Sequence, residues 1–296
     1  MPHYRTPLRY PGGKQRLARF LVEVLECNDA VGSNYVEPYA GGAGIAMELL
    51  FEEKVRHVYL NDSSPLIYSF WQAMLTQTDR FCSMVSRARL TVEAWKRHRE
   101  VIRHPDRHDV VQVGFSTFYL NRCNRSGVLK AGVIGGLDQS GSWKMDARFS
   151  RRGLIDRIAA FAEHRERITI SNHDAEEFMT GKVNALPPHT IVYCDPPYYV
   201  GADRLYLNTY RKEDHVHLAR VIQHKLRHPW LVSYDGHPDI IALYRKRRRF
   251  RYSLQYSAMK SYAAREVFFF SDGLKLPRTS RLPYIAKGLR YQRRSA

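Results

Sequence analysis

A run of β-branched and aromatic residues, Thr190-Ile191-Val192-Tyr193-Cys194, leads directly into Asp195-Pro196-Pro197-Tyr198. No other stretch limits the fold as sharply. Two consecutive prolines carry no backbone N–H and fix φ, so a strand cannot continue through them inside a sheet. The strand must end near Cys194, with an anionic side chain, rigid carbonyls and an aromatic ring at its carboxyl end. In open α/β sheets that end is where ligands bind. The grouping suits a planar heterocycle bearing an exocyclic amine: Asp195 and a neighbouring carbonyl accept the two amine hydrogens while Tyr198 stacks on the ring. The same four residues also read as a plain turn closing a strand. The rest of the chain has to decide.

Near the start, Arg9-Tyr10-Pro11-Gly12-Gly13-Lys14 reads as a turn, and Leu17, Phe20, Leu21, Val24 and Leu25 recur at helical spacing over 15–26. A strand over Tyr35-Val36-Glu37-Pro38-Tyr39 then enters Ala40-Gly41-Gly42-Ala43-Gly44, and a helix follows from Ile45. Glycines in such a loop let the backbone approach a ligand and expose amides at the helix start. The next strand, His57 to Leu60, ends in Asn61-Asp62. An acidic residue there is suited to ribose hydroxyls, and Ser64-Pro65 just beyond reads as the cap of a helix. Residues 65–121 turn mostly helical. The glycine-rich segment that follows, with Arg125, Lys130, Trp143 and Lys144, is too polar for a core and reads as an exposed loop. Its side chains are of the kinds that contact base edges and phosphates.

Strand–helix alternation resumes with a helix over 152–163, a strand over 167–170 ending near Asp174, and the key strand around Val192. A helix over 214–226 and strands over 230–234, 250–257 and 267–271 follow. Alternation broken by a helical stretch implies one parallel-sheet domain, residues 1–75 and 150–275, interrupted by an insertion over 76–149. Residues 276–296 form a basic tail. Lys and Arg number 47 against 29 Asp and Glu, a formal net charge of +18, which favours a polyanion partner such as nucleic acid. The apolar fraction of 44% fits a packed globule, and no apolar run approaches the ~20 residues that span a bilayer. The polar start does not read as a secretory signal, so a cytoplasmic protein without a membrane partner is expected. Cys27, Cys82, Cys123 and Cys194 form no C-x-x-C pair, so neither a metal site nor a disulfide framework is expected.

Taken in order, Tyr-Pro-Gly-Gly-Lys, Glu-Pro-Tyr-Ala-Gly-Gly-Ala-Gly, Leu-Asn-Asp, Tyr-Leu-Asn-Arg and Tyr-Cys-Asp-Pro-Pro-Tyr resemble the Dam-type N6-adenine DNA methyltransferases. The motifs span residues 7 to 200, with weaker similarity to about 272. The resemblance implies a Rossmann-like, S-adenosylmethionine-dependent methyltransferase sheet with an inserted, mostly helical target-recognition domain. It implies methyl transfer to N6 of an adenine flipped out of double-stranded DNA, in a bacterial or phage-encoded protein of regulatory, protective or restriction-modification role, as a monomer. Carried onto matching positions, Asp195, Pro196, Pro197 and Tyr198 are catalytic. Tyr10, Lys14, Glu37, Pro38, Tyr39, Gly41, Gly42, Gly44, Asp62, Asp174 and Asp195 are cofactor-binding. Arg9, Asn121, Arg122, Asn124, Arg125, Ser126, Lys130 and Trp143 are DNA-binding. Two departures bear on the recognised sequence: Tyr10-Pro11 replaces the Trp-Ala of GATC-reading members, and Lys130 stands where they place an arginine. The other readings are an RNA adenine methyltransferase and a DNA-binding regulator of the same fold without catalysis.

Overall fold

The computed structural model describes residues 6–9, 14–200, 210–256 and 262–277. Tyr10 and most of the basic tail lie outside them. Seven strands form one sheet: β1 (Ser33–Glu37), β2 (Val55–Asn61), β3 (Ile168–Ser171), β4 (Thr190–Cys194), β5 (Trp230–Asp235), β6 (Arg248–Tyr256) and β7 (Tyr262–Phe270), in the order β3-β2-β1-β4-β5-β7-β6. The pairs β1–β2, β1–β4 and β4–β5 are parallel, and β7 runs antiparallel to both β5 and β6. Every residue of β1 and of β4 is buried. Continuous burial is what a parallel strand covered on both faces requires, and it explains why the Thr190–Cys194 run shows no polar alternation. The fold is α/β and Rossmann-like, as expected. Strand order reverses between β1 and β4, so the connections leaving their carboxyl ends diverge there and open a crevice.

The helices follow from local chemistry. α1 (Ala18–Cys27) buries Phe20, Leu21, Val24 and Leu25 along one stripe, and the Phe20 ring stacks on Phe250 with centroids 5.9 Å apart. α2 (Gly44–Phe51) begins after a left-handed Ala43 at φ 45°. α3 (Pro65–Thr76) opens with its proline in the first turn, where the missing N–H costs nothing. α4 (Thr78–Arg87) and α5 (Val92–Arg103) follow, α5 capped by the Thr91 hydroxyl, which accepts from the Ala94 amide at 3.2 Å. α6 (Val110–Cys123) starts with a reciprocal capping box between Asp109 and Gln112. Then come α7 (Arg151–Glu163), α8 (Ala175–Thr180), α9 (Lys212–His224) and α10 (Pro238–Leu243).

The chain divides into two compact units. One comprises residues 1–11 and 62–172, and contains the whole of the 76–149 segment. Its core is aromatic: Phe70 stacks on Phe118, Phe81 meets both edge-on, and Trp71 packs on Phe161. α3 and α6 approach so closely that a Cβ on Gly114 would overlap the Ser69 carbonyl. The other unit comprises residues 12–61 and 173–296, with Val36, Val192, Leu218, Ile222, Val232 and Phe269 among its core side chains. No helix among the described residues is long and apolar enough to cross a membrane.

Candidate active site

The carboxyl ends of β4 and β5, with the middle of the antiparallel β7 beside them, bring together polar side chains that the core would otherwise exclude. All of them belong to the unit formed by residues 12–61 and 173–296. Asp195 is the first residue past β4. Its Oδ1 accepts hydrogen bonds from the Lys14 ammonium and, at 2.9 Å, from the Ser233 hydroxyl on β5. Ser233 has one proton to give, so the Tyr193 hydroxyl, 2.9 Å away, must donate to it, forming a directed chain from Tyr193 through Ser233 to Asp195. Among the described residues nothing bonds the other oxygen of Asp195. Burial pushes the Asp195 carboxyl up from its ordinary value, and Lys14 partly pulls it back.

Lys14 opens the short 3₁₀ turn that leads into α1. Its ammonium donates to Ser233 Oγ at 3.0 Å, lies 3.5 Å from a Glu266 carboxylate oxygen, and sits 5.0 Å from the centre of the Tyr198 ring. Burial acts to lower its pKa, but Asp195 and Glu266 outweigh that and raise it, so the ammonium stays charged. Glu266, on β7, is buried and pairs in register with Asp235 at the end of β5 and with Tyr252 on β6. It accepts from the Tyr198 hydroxyl at 2.6 Å and from the Tyr252 hydroxyl. Next to Tyr198, the Tyr199 amide donates to Asp235 at 2.9 Å and its hydroxyl to Asp239 at 2.6 Å, which holds the start of the segment after Pro197.

The second element is the loop between β1 and α2. Glu37, the last residue of β1, is buried, and its carboxylate accepts from the Ala46 amide at 3.1 Å. It thus does from a neighbouring strand what an N-cap side chain does locally, since Ala43 at the cap position has none to offer. Burial lifts the Glu37 carboxyl to about 8, against the pull of the Tyr35 hydroxyl and the Ala46 amide. Gly41 at φ 46° and Ala43 at φ 45° turn the chain through the left-handed region twice within three residues. Pro38, Gly41 and Gly42 are buried, and Tyr39 meets Tyr210 hydroxyl to hydroxyl at 3.1 Å. Asn61 ties this loop to the end of β2, donating to the carbonyls of Pro38 and His173 at 3.1 Å each. Asp62 accepts from the Ser64 amide at 2.9 Å. Asp174 is exposed and caps α8, accepting from the Glu176 and Glu177 amides at 2.9 and 3.2 Å.

The positions expected at DNA fall in the other unit and divide into two sets. Asn121, Arg122 and Asn124 are buried braces. The Asn121 amide donates to the carbonyls of Arg9 and Gly127 at 2.7 and 2.9 Å and accepts from the Arg9 amide. Asn124 donates to Val128 and Leu129 and accepts from the Trp95 indole at 2.7 Å. Arg122 donates to the carbonyls of Arg148 and Pro7. Arg9, half-buried, donates to the Asn124 carbonyl at 3.1 Å. Arg125 and Lys130 are exposed, Ser126 is left-handed at φ 55°, and Trp143 is 70% exposed. The loop that carries Trp143 is fixed from within: the Gln139 amide donates to Ile134 and Gly136 and accepts from the Met145 amide at 3.0 Å.

Four residues of the cluster, Ser233, Tyr193, Tyr252 and Glu266, were not singled out from the sequence. The available signals were a serine inside the buried Trp230–Asp235 run and a glutamate at the entrance to Val267–Phe270. No group of His, Cys, Asp and Glu able to hold a metal ion occurs among the described residues.

The family model described as D12 class N6 adenine-specific DNA methyltransferase matches residues 10–266 of the chain. A curated relative, the Retron Ec67 DNA adenine methylase of Escherichia coli, is 25% identical over 249 residues, covering 80% of this chain and 76% of the relative. Among solved structures, a Pyrococcus horikoshii protein provisionally named an RNA methyltransferase has a TM-score of 0.41 at 11% identity, covering 89% of this chain and 85% of that one. The rRNA methyltransferase AviRa of Streptomyces viridochromogenes has a TM-score of 0.36 at 12% identity, covering 88% of this chain and 86% of that one.

Proposed function

The chain belongs to the D12 class N6 adenine-specific DNA methyltransferase family, and on that footing we propose that it transfers a methyl group from S-adenosylmethionine to N6 of an adenine extruded from duplex DNA. The observation that carries this reading is Asp195. It stands at the carboxyl end of β4, held through one oxygen by Lys14 and Ser233, and the same Lys14 ammonium lies 5.0 Å from the centre of the Tyr198 ring.

Adenine N6 is a weak nucleophile because its lone pair is delocalised into the ring. The second oxygen of Asp195 and the Pro196 carbonyl each accept one N6 hydrogen. That localises the lone pair and turns it away from the two acceptors. Asp195 must be ionised for this, and the adjoining Lys14 ammonium favours the ionised form. When N6 gains the methyl group it becomes cationic, and the same carboxylate is placed to take the proton it sheds. Positioning and fixed charge supply most of the rate in such a scheme. The Tyr198 ring offers the face on which the extruded base stacks.

The residues fit the methyl donor. The β1–α2 turn supplies backbone amides at a helix start, with two left-handed positions that let a ligand come close. Glu37 supplies a buried carboxyl beneath that turn. Pro38, Tyr39, Gly41, Gly42 and Gly44 would surround the methionine portion, Asp62 the ribose and Asp174 the adenine, with Lys14 as a further contact. S-adenosylmethionine supplies an electrophilic methyl group on a sulfonium. Arg9, Arg125, Ser126, Lys130 and Trp143 would meet the duplex, with Asn121, Arg122 and Asn124 bracing the backbone behind them, and the 76–149 segment would choose the sequence. The finer assignments are tested by 2-aminopurine placed at the target position. A fluorescence rise on binding that duplex, kept in Asp195→Asn, together with methyl transfer to the matching adenine-containing duplex that the same variant has lost, supports extrusion followed by Asp195-dependent chemistry. Transfer retained by Asp195→Asn refutes the role of Asp195, and preferred transfer to RNA in competition refutes the duplex substrate.

A further inference from the structure

Glu266 is an unusual residue to find on a buried strand. It is 1% exposed, and it opens the apolar run Val267–Phe270. Left unpaired there, a carboxylate would be strongly destabilising. It is held instead by two tyrosine hydroxyls, Tyr198 and Tyr252, with the Lys14 ammonium 3.5 Å away. A fold needing only to fill this position could use an apolar residue at no penalty, since buried ion pairs seldom add net stability over well-packed hydrophobes. Two of the groups that Glu266 meets, the Lys14 ammonium and the Tyr198 hydroxyl, belong to the site of Asp195.

The geometry around Lys14 gives a reason. One ammonium faces two carboxylates and the Ser233 hydroxyl. With Asp195 as sole counter-charge, the ammonium would be drawn entirely onto it, and a carboxylate so neutralised is a poorer acceptor for an incoming amine. A second carboxylate divides the ammonium's pull and leaves Asp195 with acceptor strength to spare. At its other oxygen, Glu266 takes the Tyr198 hydroxyl and so fixes the tilt of the ring from its far end. We propose that Glu266 is a positioning residue for methyl transfer: its carboxylate shares the Lys14 ammonium with Asp195 and anchors the Tyr198 hydroxyl, setting both groups that receive the adenine. The inference rests on the methyltransferase reading of this site.

The test compares Glu266→Gln, which keeps the volume and hydrogen-bonding capacity but removes the charge, with Glu266→Ala and Tyr198→Phe. Each is assayed for kcat and for KM of S-adenosylmethionine on duplex DNA, beside its melting temperature. The expected result is a kcat lowered about tenfold or more in Glu266→Gln, approaching that of Glu266→Ala, with the KM for S-adenosylmethionine within about twofold of wild type. A residue that only fills space would be rescued by glutamine. A Glu266→Gln kcat within twofold of wild type therefore overturns the proposal while leaving the methyltransferase reading intact. Should Glu266→Gln not fold, Tyr198→Phe decides, because it spares the carboxylate: a lowered kcat supports the anchor and a wild-type kcat overturns it. A wild-type protein that transfers no methyl group to either nucleic acid overturns both the proposal and the reading beneath it.

Discussion

A carboxyl group that titrates at about 8 is mostly protonated at neutral pH, and Glu37 is such a group because burial outweighs the hydrogen bond from the Ala46 amide and the pull of the Tyr35 hydroxyl. In the unfolded chain it would titrate near 4.5. Between these values the folded state binds more protons than the unfolded one, so this contribution to stability is full below about 4.5 and is lost as pH rises toward 8. The melting temperature should fall over that window, and Glu37→Gln should flatten the fall; parallel slopes for the two proteins would contradict it. Asp195 carries the opposite consequence for rate. Its carboxyl lies above the ordinary 3.8, and only its ionised form accepts from an amine, so kcat should decline on acidification at a higher pH than an exposed aspartate would give. An acid limb centred at or below 3.8 would contradict that. Residues such as Asp195, Tyr198, Lys14 and Glu37 were legible in the sequence because each stands in a short local pattern. Glu266 and Ser233 were not, because they join the cluster through strand register, which no local pattern records. Asparagine is equally ambiguous by composition: Asn121 and Asn124 suit a nucleic-acid surface, and in the fold their amides meet carbonyls of their own unit.

At the scale of elements, two glycines do work that no other residue can. Gly127 sits at φ +76°, and a Cβ there would press on the Arg9 carbonyl that Asn121 also binds. Gly127→Ala should destabilise the protein by about 2 kcal/mol or more, lowering its melting temperature; an unchanged melting temperature would contradict the brace. Gly114→Ala should push α6 from α3 at a cost of roughly 1–3 kcal/mol, read by the same measurement. The long strands and helices were legible because β-branched runs and 3–4 spacing mark them directly. The six-residue helices α8 and α10 were not, since under two turns leave no periodicity to read. Pro38 set the end of β1 at Glu37, two residues before the Tyr39 expected from the sequence, and so brought that carboxyl under the start of α2. The antiparallel course of β7 was hidden for a different reason: pairing direction depends on which strands become neighbours.

The molecule as a whole carries a formal charge of +18, and its family acts on a polyanion. Binding to duplex DNA should weaken steeply with salt, the logarithm of affinity falling by about 0.9 per phosphate neutralised for each log unit of salt; a flat dependence would mean that the surplus is not used in binding. S-adenosylmethionine at about 100 times its dissociation constant should stabilise the protein by about 2.7 kcal/mol, and no shift in melting temperature would remove it as a ligand. In the proposed mechanism Asp195 directs a methyl group onto adenine N6. Its most direct test is nucleoside mass spectrometry of duplex DNA incubated with S-adenosylmethionine and either the wild-type protein or Asp195→Ala. N6-methyladenine with the wild type and none with the variant is the predicted result. N6-methyladenine from both, or from neither while both bind the cofactor and the DNA, would contradict it.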